Sequence, residues 1–145
     1  MINKHKVMQE WVQGFLDDNY LYFESVDAYP DIRTFVPNYG DYVNKTDVLG
    51  NKYKSYSFVF IGYEHLDPSS SDSELNVQNM EIFDKFIAWL EKQKRDRNFP
   101  DFGTNCSDYD IIILQNMANL AAVTDDNLAK YMLGARIDYT EKEEE

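Results

Sequence analysis

Four serines, Ser69, Ser70, Ser71 and Ser73, follow His65 in one polar loop, and a hydroxyl near an imidazole is the raw material of nucleophilic catalysis. That chemistry needs the nucleophile on a strained turn such as G-x-S-x-G and a base oriented by a third group, and the sequence has neither signature. Serines between a strand and a helix are accounted for as loop and cap residues. Ser71 and Glu74 have the S-x-x-E spacing of a capping box, in which hydroxyl and carboxylate satisfy the backbone N–H groups of a helix's first turn. Cys106 is the only cysteine, so neither an internal disulfide nor a thiolate zinc site can be built from one chain. With no local histidine beside it, it reads as a passive thiol. The two histidines, His5 and His65, lie sixty positions apart, and no ligand spacing points to a metal.

Asp and Glu together number 26, so abundance alone makes no acid–base pair significant. Asp108 and Asp110 flank Tyr109 just before a strongly apolar run, which could set one in a pocket, although residues there more often form a strand's polar edge. The six glycines are isolated at positions 14, 40, 50, 62, 103 and 134, so there is no phosphate-cradling loop. A net charge of −12 opposes general affinity for a phosphate backbone. The one basic cluster, Lys92, Lys94, Arg95 and Arg97, falls at the end of a predicted helix, where cations complement the macrodipole. These residues predict no catalytic centre, no cofactor, no metal and no specific nucleic-acid binding.

The elements that would hold these residues are readable from periodicity. Val7, Met8, Trp11, Val12, Phe15 and Leu16 form one stripe of a helix, ended by Asp17-Asp18-Asn19. A short strand is predicted at Tyr20 to Val26 and an extended piece at Ile32 to Val36, bracketed by Pro30 and Pro37. Asp41 to Lys54 reads as a separate hairpin turning at Leu49-Gly50-Asn51-Lys52. Tyr56 to Tyr63 is apolar on both alternating faces, which predicts a central strand covered from two sides. A second helix runs from Leu75 to about Lys94 and stops at Asn98-Phe99-Pro100-Asp101-Phe102-Gly103. A strand at Tyr109 to Gln115 follows. Residues 116–123 suit either a helical turn or a continuation of that strand after a bulge. Lys130 to Thr140 alternates cleanly. The pattern predicts α+β architecture: a mostly antiparallel mixed sheet with two main helices packed on it, as one domain over residues 1–140 and a disordered acidic tail over 141–145. The expected core includes Trp11, Phe15, Phe58, Phe60, Phe83, Ile87, Ile112 and Ile137.

No apolar run approaches the roughly 20 residues of a membrane span, and Met1 to Gln9 lacks the apolar centre of a secretory signal, so synthesis and residence in the cytoplasm are expected. Aromatics remain that the periodic patterns do not place: Tyr39, Tyr42, Tyr53, Phe99 and Phe102. They either cap the core from its ends or belong to an interface with another protein.

The segment from Tyr56 to Tyr139 resembles the tail-terminator, or neck and tail-completion, proteins of tailed phages and prophages of Gram-positive hosts. The residues that carry the resemblance are the strand Tyr56-Ser57-Phe58-Val59-Phe60, the Ser/Asp loop, and the helix from Asn76-Val77-Gln78-Asn79-Met80 to Trp89-Leu90. The Asn98 to Gly103 turn and the closing strand Arg136-Ile137-Asp138-Tyr139 complete it. It covers a little over half of the chain and rests on arrangement, with no catalytic signature. The resemblance implies a subunit of a homo-oligomeric, hexameric ring that terminates the tail tube of a phage or phage-tail-like particle and joins it to the neck or cap. Its implied partners are itself, the tail tube protein, and the sheath and neck or connector proteins. It would reside in the host cytoplasm during assembly and then in the virion or tail-like particle. The alternatives are another neck or minor capsid connector component, and a small enzyme using the loop from His65 to Ser73. The subunit interface is expected at Tyr39, Tyr42, Val48, Leu49 and Tyr53, with the hairpin mobile until a neighbour orders it.

Overall fold

The structure, a computed structural model, describes residues 3–16, 21–23, 33–65, 81–114, 119–123 and 128–142. In chain order its elements are α1 (Lys4–Leu16), β1 (Leu21–Phe23), β2 (Arg33–Thr46), β3 (Lys52–His65), α2 (Glu81–Asp96), β4 (Cys106–Ile113), β5 (Asn119–Val123) and β6 (Leu128–Glu141). One six-stranded sheet runs in the order β1-β2-β3-β6-β4, and β5 pairs with the opposite half of the β6 edge that β4 uses. Among the described strands only β1 and β2 are parallel. The fold is α+β with the helices packed on the sheet, as the alternating strands and striped helices predict.

Period-two alternation sorts the two faces. Tyr56, Phe58 and Phe60 of β3 and Leu133, Ala135 and Ile137 of β6 point to one face and are fully buried. Both helices lie there. From α1, Met8 and Val12 are fully buried, and Phe15 packs between Phe60 and Phe86 with ring centroids 6.2 and 5.1 Å away. From α2, Phe83, Phe86 and Leu90 are fully buried, and Phe86 stacks on Phe60 at 4.4 Å. Trp11 and Trp89, 4.9 Å apart, close the seam between the helices. Interlocked rings of this kind contribute more than their buried area alone. Gly62 opens room for Phe83: a Cβ there would lie 2.9 Å from the Phe83 ring.

The end of α2 is built in a way its sequence does not advertise. Arg97 N–H donates to the Lys94 carbonyl at 3.2 Å and Asn98 N–H to the Gln93 carbonyl at 2.9 Å, the paired bonds of a Schellman cap. Arg97 takes the left-handed position (φ 55°) usually held by glycine.

Several expectations need correction. The hairpin is no separate unit: its strands are the ends of two 14-residue strands, and β3 pairs with β6 along its whole length, from Lys52↔Glu141 to His65↔Leu128. Pro37, which suggests a break, is accommodated at a register shift between Pro37 and Gly40 where no ladder bond is needed. The described helices cover one face of β3; on the other face Ile61 is buried, whereas Val59 and Tyr63 are half-buried. Ile112 is likewise half-buried, whereas Ile111 is in the core, because the register shift between Ser107 and Asp110 sets which isoleucine faces the helices. Trp11, Phe15 and Ile87 pack against the core while remaining partly exposed. Residues 119–123 form a strand. Glu141 and Lys142 are not part of a disordered tail: Glu141 closes β6, and Lys142 N–H donates to the Asn105 carbonyl at 2.8 Å. The expected Ser71 cap and the start of the second helix lie outside the described residues.

Candidate assembly surface

The turn joining β2 to β3 is organised by Asp47. Gly50 N–H donates to the Asp47 carbonyl at 3.1 Å, closing a tight turn, and Asp47 N–H donates to the Asn51 carbonyl at 2.9 Å. The Asp47 carboxylate accepts from Leu49 N–H at 2.9 Å, from Asn51 N–H at 3.0 Å and from the Asn51 side-chain amide at 3.2 Å. Gly50 occupies the left-handed region (φ 87°), which a side chain would resist. The turn is therefore two positions earlier than Leu49-Gly50-Asn51-Lys52, with Val48 and Leu49 at the two central positions. Those two side chains are 102% and 76% exposed. A hydrogen-bonded turn thus holds two aliphatic residues in water.

Tyr53, 42% exposed, and Val43, 41% exposed, stand behind this tip, and the Lys45 ammonium lies 6.0 Å from the Tyr53 ring centroid. The segment 43–54 carries Lys45, Lys52 and Lys54 against Asp47 alone, a positive stretch in a chain of net charge −12. Below it, Asn44 Nδ2 donates to Ser55 Oγ at 2.6 Å, Ser55 Oγ donates to Asp138 Oδ1 at 2.6 Å, and Arg136 Nε donates to the same oxygen at 3.0 Å. On the helix side of the same end, Glu141 accepts from Lys54 at 2.9 Å and Lys4 at 3.4 Å, while Lys4 also reaches Tyr139 OH at 2.9 Å. Burial alone would raise the Glu141 pKa, but the hydrogen bond from Lys54 and the two ammonium charges outweigh it and hold the carboxyl below its ordinary value. His5 Nδ1 and the buried Tyr56 OH share a hydrogen bond of 2.6 Å, which fixes the start of α1 on the sheet.

Of the five residues expected at an interface, Val48, Leu49 and Tyr53 are exposed at one end of the sheet. Tyr42 sits opposite Ser55 in β2, and Tyr39 lies in the irregularity between Pro37 and Gly40; their side chains are outside the described set. Leu114, 47% exposed, reads as buried because it ends the apolar run from Ile111, whereas Val43, 41% exposed, lies in the hairpin beside the expected interface residues. Phe102 is buried and Phe99 packs on the core, so these two aromatics cap it from one end. Both meet Tyr109, whose hydroxyl accepts from Phe102 N–H at 3.0 Å. Burial raises the Tyr109 pKa, with that N–H bond opposing, so the phenol stays protonated near neutrality.

Other candidates for chemistry are dispersed. Asp108 is exposed, Asp110 pairs with Lys94 at 3.2 Å, and Cys106 is buried with its sulfur 3.9 Å from Asn105 Oδ1. Arg97 lies over Phe99 at 5.8 Å, so the basic cluster is partly engaged with its own chain. Only the backbone of His65 is described, and Ser69, Ser70, Ser71 and Ser73 lie outside the described residues. Among the described residues no three His, Cys, Asp or Glu side chains are placed to hold a metal, and no helix is long and apolar enough to cross a membrane. Neither the models of known protein families nor the sequences of curated proteins give a match to this chain.

Proposed function

We propose that the chain is a structural subunit that assembles with copies of itself into a ring, hexameric as the sequence resemblance implies, at the end of the tail tube of a phage or phage-tail-like particle. There it would stop tube growth and join the tube to the neck or cap. The observation that carries this reading is the hairpin tip. Asp47 spends its backbone and carboxylate on holding a turn whose outermost residues are Val48 and Leu49, side chains that gain nothing from water and gain burial from a neighbour. A tip whose turn is already hydrogen-bonded before contact leaves less to order on docking, which suits repeated, identical contacts between subunits or with the tube. The α+β sheet with both helices on one face agrees with the arrangement on which the resemblance rests. The tail tube protein and the neck, sheath or connector proteins are the partners this reading requires.

The decisive experiment is electron microscopy of particles assembled without this chain and with the Val48→Ser/Leu49→Ser variant. Overlong or ragged tubes in both cases are expected, with the variant folded but absent from the particles. Tubes of normal length without the chain would sink the termination role. A label on the chain found at the portal, away from the tube end, would assign it to the connector instead.

A further inference from the structure

We infer that the outer edge of β4 is a strand-addition site for the hairpin half of β2 in a second copy of the chain, and that the Lys94–Asp110 ion pair keeps this edge closed in the free subunit. The inference names a contact surface for the ring proposed above and so rests on that reading.

Among the described residues β4 pairs with β6 alone. Leu114 N–H donates to the Gly134 carbonyl at 3.1 Å; stepping back by twos through the register, Ile112 and Asp110 also turn their backbone groups toward β6. Ile111 and Ile113 therefore turn theirs outward. At Ile111 both outward groups are already occupied. Its N–H donates to Asp110 Oδ1 at 2.9 Å, its carbonyl accepts from Lys94 Nζ at 3.3 Å, and Lys94 and Asp110 meet at 3.2 Å. One ion pair thus fills the donor and the acceptor that an incoming strand would use, which is how an exposed edge is kept from pairing. The two side chains are about half exposed, at 51% and 47%, so the clip lies in water and yields readily to a competing strand.

Among the described residues the opposite edge of the sheet is open at the same level. β1 pairs only with Arg33 to Phe35, and among the described residues no strand lies against the outer side of β2 from Gly40 to Thr46. Thr46, Lys52, Glu141 and Cys106 share one row of the sheet, and Gly40, Ser57, Arg136 and Ile112 share another, so the two open edges span the same rows. β4 runs opposite to β2, because three successive antiparallel pairings separate them. A copy set alongside by rotation, with little translation along the strands, meets β4 with β2 in antiparallel sense, and rotation without rise closes a ring where a rise would build a filament. Charge disfavours the pairing of like edges. β4 carries Asp108 and Asp110 and no Lys or Arg, so two β4 edges repel, whereas the hairpin half of β2 carries Lys45 as well as Asp41, with Lys45 in the row of Ser107 next to Asp108. Bulges on both edges, between Val43 and Lys45 and between Ser107 and Asp110, keep the regular ladder short and the contact weak in a free subunit.

The test uses the full chain. Lys94→Ala, on an exposed helical position, should move self-association measured by sedimentation to a several-fold lower concentration, and Lys45→Glu should move it the other way. In a Cys106→Ala background shown to fold by circular dichroism, Lys45→Cys and Ser107→Cys are combined and oxidised. These positions share a row but are separated by β3 and β6, about 14 Å at three strand spacings, beyond the roughly 7 Å a disulfide spans. Any bond between them joins two chains. Covalent oligomers linked through positions 45 and 107 are the expected result. Unchanged sedimentation of Lys94→Ala, or no 45–107 linkage in the folded protein, overturns the inference, as does linkage through 107 alone, which would put β4 against β4. Failure of the ring reading looks different: 45–107 oligomers would form while particles lacking the chain kept tubes of normal length.

Discussion

The helix-covered face and the hairpin end are made from the same three strands and solve opposite problems. On the first, Phe58, Phe60, Phe83 and Phe86 are fully excluded from water, and each ring meets another edge-on or stacked. At the hairpin end, Asn44, Ser55, Asp138 and Arg136 form a polar chain across the strands, and the apolar residues sit on the rim at Val48 and Leu49. Stability therefore comes from the covered face. The hairpin end spends its hydrogen bonds on shape and leaves its aliphatic groups for something outside the subunit.

The sharpest way to break this contrast is Phe86→Ala. Phe86 touches Phe15, Phe58, Phe60 and Trp89, so the cavity cannot collapse easily, and a loss of about 3–5 kcal/mol is expected in denaturant unfolding. A much smaller loss would mean that the two helices do not share this core.

At the turn, Asp47→Ala removes the acceptor of two backbone N–H groups. A cost of about 1–2 kcal/mol is expected, since both donors can turn to water. The more telling readout is hydrogen exchange at Leu49 and Asn51, which should speed up while amides of β6 keep their protection. Equal acceleration in both places would show that the hairpin and the core open together.

A smaller effect should appear in acid. The Glu141 carboxyl is depressed in the folded chain by Lys54 and Lys4, so its contribution is present above the ordinary value of 4.5 and is lost as pH falls through the depressed one. Glu141→Gln should therefore be less stable than the parent at neutral pH, with the gap closing as the pH is lowered below about 4.5. A gap independent of pH would assign the loss to packing. Least affected of all should be the stability of Val48→Ser/Leu49→Ser, within about 0.5 kcal/mol of the parent, because both side chains are largely exposed among the described residues. A clear loss of stability would mean that the tip belongs to the fold.

Local pattern was a reliable guide wherever one face of an element meets the core. The stripe Met8, Val12 and Leu16 makes α1, and the alternation from Tyr131 to Tyr139 makes β6, because burial on one side imprints its period on the residues. The hairpin's rim residues were legible too, since Val48 and Leu49 beside Gly50 have no periodic place to go. What could not be read locally is how far a strand extends and which neighbour it meets. Thr46 and Lys52 belong to the central sheet because β6, some ninety residues later, pairs with β3 as far as Glu141, and no short-range signal encodes that partner.

The sequence by itself determined an acidic α+β chain with two helices packed on one sheet, a single thiol and a hairpin with aliphatic residues near its turn, all consequences of residue type and spacing. Only the tertiary structure decided which isoleucine of the run Ile111-Ile112-Ile113 faces the helices, that Asp110 and Lys94 meet on the backbone groups of Ile111, and that the hairpin stands on the sheet. Each of these depends on register, and a bulge of one or two residues reassigns a strand's faces and edges without altering its composition.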